Sequence, residues 1–213
     1  MNVQGLNAIL LAIPYTFLVT AGAFALGFIL AIPLVFARRT KITPIRVTAQ
    51  FVIDLARGIP PIVWLLFIFF GLPAMHVLLD PLTAAIIGLG IVSSAYLAEI
   101  FRGGLLAVHR GQFEASAALG LGGWTTFTRI ISPQALQSML PGLTTYFIGL
   151  LKDSSIASVI GVTEMVYAAT SYARISPDGI YMFFVAAAVY IAISVPLGLA
   201  ARGMENRMNR AAA

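Results

Sequence analysis

The sequence predicts an all-α fold, an integral membrane bundle of five transmembrane helices in which residues 1–213 form one transmembrane domain. Three observations carry this. Mean hydropathy is +0.95, and 60% of the residues are hydrophobic against 10% charged, far from the roughly half apolar and quarter charged composition of soluble domains. Five charge-poor runs are long enough for a helix that needs about 20 apolar residues to cross a hydrocarbon core. The basic residues collect in alternate connections between those runs, as orientation in a bilayer requires. The net charge of +5 therefore sets orientation and does not point to nucleic acid. With no cysteine in the chain, disulfides and thiolate metal sites are excluded.

No charged residue precedes Arg38, and the first span runs from about Ala8 to Phe36. A cleaved leader is not expected, because the Arg38 and Arg39 pair follows the apolar run and no basic region precedes it. The second span lies within Gly58 to Leu79, where Pro60 and Pro61 suit a helix start. The third reaches from near Leu82 to about Leu106, the fourth begins near Ala135, and the fifth fills Gly179 to Ala201. Pro14, Pro33 and Pro196 are expected to kink their helices. Arg38, Arg39, Lys41, Arg46 and Arg57 fall between spans one and two, and Arg102, Arg110 and Arg129 between three and four. Arg202, Arg207 and Arg210 follow span five, which leaves only Lys152 and Arg174 for the other side. The positive-inside rule then puts the N-terminus outside and the C-terminus in the cytoplasm.

That orientation makes Glu114 to Leu136, EASAALGLGGWTTFTRIISPQAL, a cytoplasmic segment. Glu114 to Leu119 favours helix through its alanines and leucine. Gly120, Leu121, Gly122 and Gly123 favour a break, since glycine tolerates left-handed backbone and weakens a helix interior. Trp124 to Ile131 can form a second short helix before Pro133. The expectation is a helix, turn, helix over about 109–131.

The spacing of Glu114, Ala115, Gly120, Ile130 and Pro133 resembles the EAA signature of ABC importer permeases, with Ser116 in place of its second alanine and Ser132 in place of its leucine. The likeness extends to RGIPPIVWLLFIFFGLP (Arg57 to Pro73), AYLAEIFRGGLLAV (Ala95 to Val108), GQFEA, LLKDSSIASVIGVTEM (Leu150 to Met165) and YTFLVT (Tyr15 to Thr20). These look like the polar amino acid branch, which includes histidine, glutamine and arginine permeases. Ile59 stands where that branch usually has threonine, and His109 where it often has proline. The resemblance implies a type I ABC importer permease fold in a bacterial inner membrane. It also implies that Glu114, Ala115, Ser116, Gly120, Leu121 and Gly122 couple the spans to an ATPase. Implied partners are two cytoplasmic ABC ATPase subunits, a second permease, identical or sibling, and an extracytoplasmic amino-acid-binding protein. ATP and Mg belong to the ATPase. The residues agree, because neither Lys41 nor Lys152 sits in a Gly-Lys-Ser/Thr phosphate loop.

Ionisable residues at membrane depth are costly unless paired or wetted. Glu99 lies deep in span three, sharing a helical face with Tyr96 and Gly103, and Arg102 stands three residues on. It has two readings, a snorkelling ion pair with Arg102 or a place on the solute pathway. Lys152 and Asp153, with Ser154, Ser155 and Ser158, offer both charges an amino acid zwitterion requires. They suit a solute pathway, or an internal ion pair that helps span four pack. Glu164 is expected to start a short outer helix, and His76 to lie in an outer loop. No catalytic set and no metal-ligand spacing stands out. A secondary transporter or channel without an ATPase, and a membrane-embedded enzyme, stay open on the residues alone. Neither accounts for the EAA spacing.

Overall fold

A computed structural model describes the backbone of residues 3–175 and 179–212 and side chains from 4 to 175 and from 179 to 204. Arg207 and Arg210, counted above for orientation, have side chains outside the described residues. All regular structure among the described residues is helical. The first helix, α1 (Val3–Arg39), continues through Pro14 and Pro33. A second, α2 (Thr43–Gly58), occupies the stretch read from sequence as a connection. Its chemistry explains why it is helical and why its charges resemble a connection. Ala49, Ile53 and Ala56 turn one narrow face into the bundle, while Arg46, Gln50, Asp54 and Arg57 form a polar strip at helical spacing. Charges that spoil a membrane span are compatible with a helix of this kind.

Gly58, Ile59 and Pro60 end α2. Ile59 is extended at φ −95 and ψ 131, as expected before a proline. Helix α3 (Pro61–Leu66) then leaves at a bend of 98° to α2. It runs on through a wide π turn, Phe67–Gly71, and a tight 3-10 turn, Leu72–Met75. Helix α4 (Pro81–Ala107) is capped by Asp80, whose carboxylate accepts from the Thr83 N–H at 3.0 Å. The Thr83 hydrogen bonds hold that carboxyl below its ordinary range. Helices α5 (Arg110–Ala118) and α6 (Gly123–Thr126) form an elbow, and α6 passes through a π turn, Phe127–Ile131, into α7 (Ser132–Asp153). The second arm of the elbow is therefore not a short helix stopped at Pro133, as its sequence suggests. The wide turn accommodates a proline without an N–H. Beside it the Ser132 hydroxyl donates to the Thr128 carbonyl and the Gln134 amide to that of Ile130. After a 3-10 stretch, Ser154–Ile160, come α8 (Met165–Ala173) and α9 (Ile180–Ala212).

Packing fixes the directions of the long elements. Val19 and Ala23 of α1 meet Ala84, Ala85 and Leu89 of α4, and Ala31 and Val35 meet Ala95 and Ala98, so the two run parallel. Their crossing depends on Gly27, where a methyl would come within 3.0 Å of the Ser93–Ser94 backbone, the close approach small residues permit in membrane helices. Gly104 of α4 lies against Met139 of α7, Gly142 against Ile100, and Leu150 in the cluster of Leu89. Helix α7 is thus antiparallel to α4. Segments Gln4–Arg39, Pro81–Ala107 and Ile180–Met204 are each long and apolar enough to cross a membrane, and the bent α2–α3 pair can supply a fourth crossing. Helix α7 has 22 residues, but Ser132, Gln134, Gln137, Ser138, Thr144 and Thr145 make it the least apolar of the long elements. That difference separates the three or four segments long and apolar enough to cross among the described residues from the five spans expected from sequence.

Candidate functional site

The elbow is built from backbone chemistry. His109 caps α5, its Nδ1 accepting from the Gly111 N–H at 3.1 Å. At the other end the Gly120 N–H donates to Ala117 and the Leu121 N–H to Ser116, both at 3.0 Å. Gly120 stands in the left-handed region at φ +68. This pair of bonds is the Schellman termination, which wants glycine at that position. Ser116 is buried and its hydroxyl donates to the Gln112 carbonyl at 2.6 Å, so the serine that departs from the signature is satisfied within its own helix. Glu114, Ala115, Gly120 and Gly122 are exposed and Leu121 is half-buried. Leu119 at 75% and Trp124 at 78% exposure project from the turn without apolar cover.

Near the same end, Glu99 accepts from Arg102 at 2.7 and 2.9 Å and from Arg38 of α1 at 3.5 Å. The sequence pointed to Arg102, whereas Arg38 lies 61 positions away and no local pattern marks it. Glu99 is thus committed to an ion-pair cluster that joins α1 to α4.

Tyr96 lies in different surroundings, where its ring stacks on Tyr146 with centroids 5.3 Å apart. The Arg57 guanidinium sits 5.1 Å from the Tyr96 ring centroid, a cation–π distance. The Tyr146 hydroxyl donates to Ser93 Oγ at 2.9 Å. Tyr96, Tyr146 and Asp153 line one cavity of about 310 Å³ with Thr145, Gly149 and the start of α3 at Pro61. Asp153 therefore reaches the space Tyr96 reaches, and Glu99 does not. Tyr146 was missed in the sequence although it stands seven residues before Asp153, two turns away on the same face. Arg57 was read only as an orienting charge.

Lys152 points elsewhere. It lines a groove of about 510 Å³ between α7 and α9, together with Thr144, Thr145, Ser194 and Arg202. It also lines a smaller cavity of about 260 Å³ with Ser155 and Tyr190. Consecutive helical residues diverge by about 100°, so Lys152 and Asp153 face different walls, and no Lys152–Asp153 salt bridge forms among the described residues. Ser154 is fully buried, its hydroxyl donating to the Leu151 carbonyl at 2.7 Å, and takes no place in any of these spaces. No cluster of metal-ligating side chains occurs among the described residues.

Known proteins share sequence and fold with this chain. Residues 23–210 match the family model described as "Binding-protein-dependent transport system inner membrane component". The chain is 36% identical over 197 residues to the L-cystine transport system permease protein TcyB of Bacillus subtilis (strain 168), covering 92% of this chain and 84% of that protein. It is 38% identical over 158 residues to the glutamine transport system permease protein GlnP of Escherichia coli (strain K12), covering 73% and 72%. A crystal structure of an amino acid ABC transporter with histidines superposes with a TM-score of 0.89 at 31% identity, covering 96% of each chain. The MetNI methionine ABC transporter in an inward facing conformation gives 0.78 at 20% identity, a likeness of fold. The family model, these relatives and the shared helical fold give one assignment: this protein belongs to the binding-protein-dependent transport system inner membrane component family, as a permease subunit of the ABC type whose ATPase is a separate subunit.

Proposed function

We propose that the chain carries polar amino acids across a bacterial inner membrane by alternating access, crossing the bilayer five times with its N-terminus outside and its C-terminus in the cytoplasm. The observation that carries this is the elbow, with Gly120 left-handed and Leu119 and Trp124 held outward. The parallel course of α1 and α4 and the antiparallel course of α7 support the alternation of crossings. In this reading two ABC ATPase subunits, which hold ATP and Mg, receive the elbow at the segment that includes Glu114, Ala115, Ser116 and Gly120 to Gly122. A second permease, identical or sibling, completes the pathway, and an extracytoplasmic binding protein delivers the solute.

Mechanically, the elbow stands between α4 and α7, and α6 continues into α7 without a break. A displacement of the elbow is therefore passed directly to the helix that bears Tyr146, Lys152 and Asp153. Asp153, with Tyr96 and Tyr146, offers a carboxylate and aromatic faces to a cationic group, and Lys152, with Ser155, an ammonium and a hydroxyl to a carboxylate. Competition for uptake among labelled amino acids, in proteoliposomes with the cognate ATPase and binding protein, tests the reading. Saturable ATP-dependent uptake of a polar amino acid is expected. Uptake that proceeds without ATP would instead favour a secondary transporter.

A further inference from the structure

Glu164 is fully buried although it carries a carboxylate. It caps α8, accepting from the Val166 N–H at 2.9 Å and the Tyr167 N–H at 2.7 Å, and accepts from the Tyr190 hydroxyl of α9 at 3.0 Å. The next N–H, that of Met165, donates to Thr16 Oγ of α1 at 3.3 Å. One turn of backbone thus ties α8 to two long helices. Gly161 at φ +92 lies just before this junction, so the chain enters it through a turn suited to glycine.

No ion pair closes this junction among the described residues. Among the described residues, Glu164 has no cation within salt-bridge distance, and Lys152 has no acid. Yet Lys152 and Tyr190 line the same cavity, with Val166, whose N–H Glu164 holds, on its wall. A buried carboxylate satisfied by neutral donors is stable in place, but a cation that reaches it is a strong competitor for Oε2, the oxygen that accepts from the Tyr190 hydroxyl. Lys152 has the long, flexible stem such a reach needs.

We propose that Glu164 is the latch of α8, exchanging the Tyr190 hydroxyl for the Lys152 ammonium across this cavity as the bundle changes state. The latch rests on the alternating-access reading and extends it to the end of the molecule remote from the elbow. In one state α8 is tied to α9 through Tyr190, and in the other to the end of α7 through Lys152. Glu164 is a positioning residue in this device, because it acts by holding α8 and meets no solute.

The test uses the complete transporter in proteoliposomes. Y190F removes the partner of one state and K152Q that of the other. The two are expected to shift the half-saturating ATP concentration in opposite directions by about 5-fold each, at the lower end of typical coupling between sites. In an E164Q background, which keeps the shape of the side chain but removes the charge, K152Q is expected to produce no further shift. Shifts of the same sign, no shift, or an undiminished K152Q effect beside E164Q overturn the latch, since loss of packing alone would move both single variants alike. Stimulation of ATP turnover by the loaded binding protein in the unaltered complex tests transport itself. A complex that passes that check with a latch that fails defeats only this proposal.

Discussion

Helices α5 and α8 are built to one plan and used in opposite ways. Each has nine residues, each is capped at its start by a side chain, and each has a left-handed glycine close by, Gly120 just after α5 and Gly161 ending the 3-10 stretch that leads into α8. In α5 the cap is an exposed histidine, and the apolar residues beside its end, Leu119 and Trp124, face outward. In α8 the cap is a buried glutamate, and Met165 and Ala169 are fully buried against Ile9, Ala12, Met182 and Ala186. The same local device thus serves a surface in one place and a core in the other. What separates the uses is the destination of the apolar side chains.

The comparison breaks first at the buried helix. Met165→Ala should cost about 2–5 kcal/mol of stability by leaving a cavity between α1, α8 and α9, read as a lower detergent melting temperature. Gly120→Val is next, because a β-branched residue in left-handed backbone costs on the order of 1–3 kcal/mol locally. Its expected signature is ATP turnover that no longer drives uptake while membrane insertion is intact, and unchanged uptake would count against the coupling role. The smallest effect on stability belongs to Leu119→Ala with Trp124→Ala. These exposed positions should alter the melting of the isolated permease by less than about 0.5 kcal/mol while abolishing retention of the ATPase subunit on an affinity column. If that pair melted the permease instead, the elbow would belong to the core and the contrast would vanish.

Much of this was legible in the sequence because membrane insertion and helix termination write themselves locally. Charge-poor length marked α1, α4 and α9, and Gly120 marked the end of α5. Helix α2 was not legible, because its polar strip, Arg46 to Arg57, resembles a connection until the narrow face of Ala49, Ile53 and Ala56 has something to pack against. The continuity of α6 with α7 escaped for a related reason, since Pro133 reads as a stop and only a widened turn reconciles it with helix. At the candidate site, Asp153 and Tyr96 were visible as polar groups at depth. Their shared cavity was not, nor were Arg38 beside Glu99 or Tyr190 beside Glu164, because such meetings depend on which faces of distant helices oppose each other.

The divergence of Lys152 and Asp153 has a mechanical consequence. Neighbours about 100° apart around a helix axis ride on one rigid segment, so a roll of that end of α7 carries both charges together, each relative to its own cavity wall.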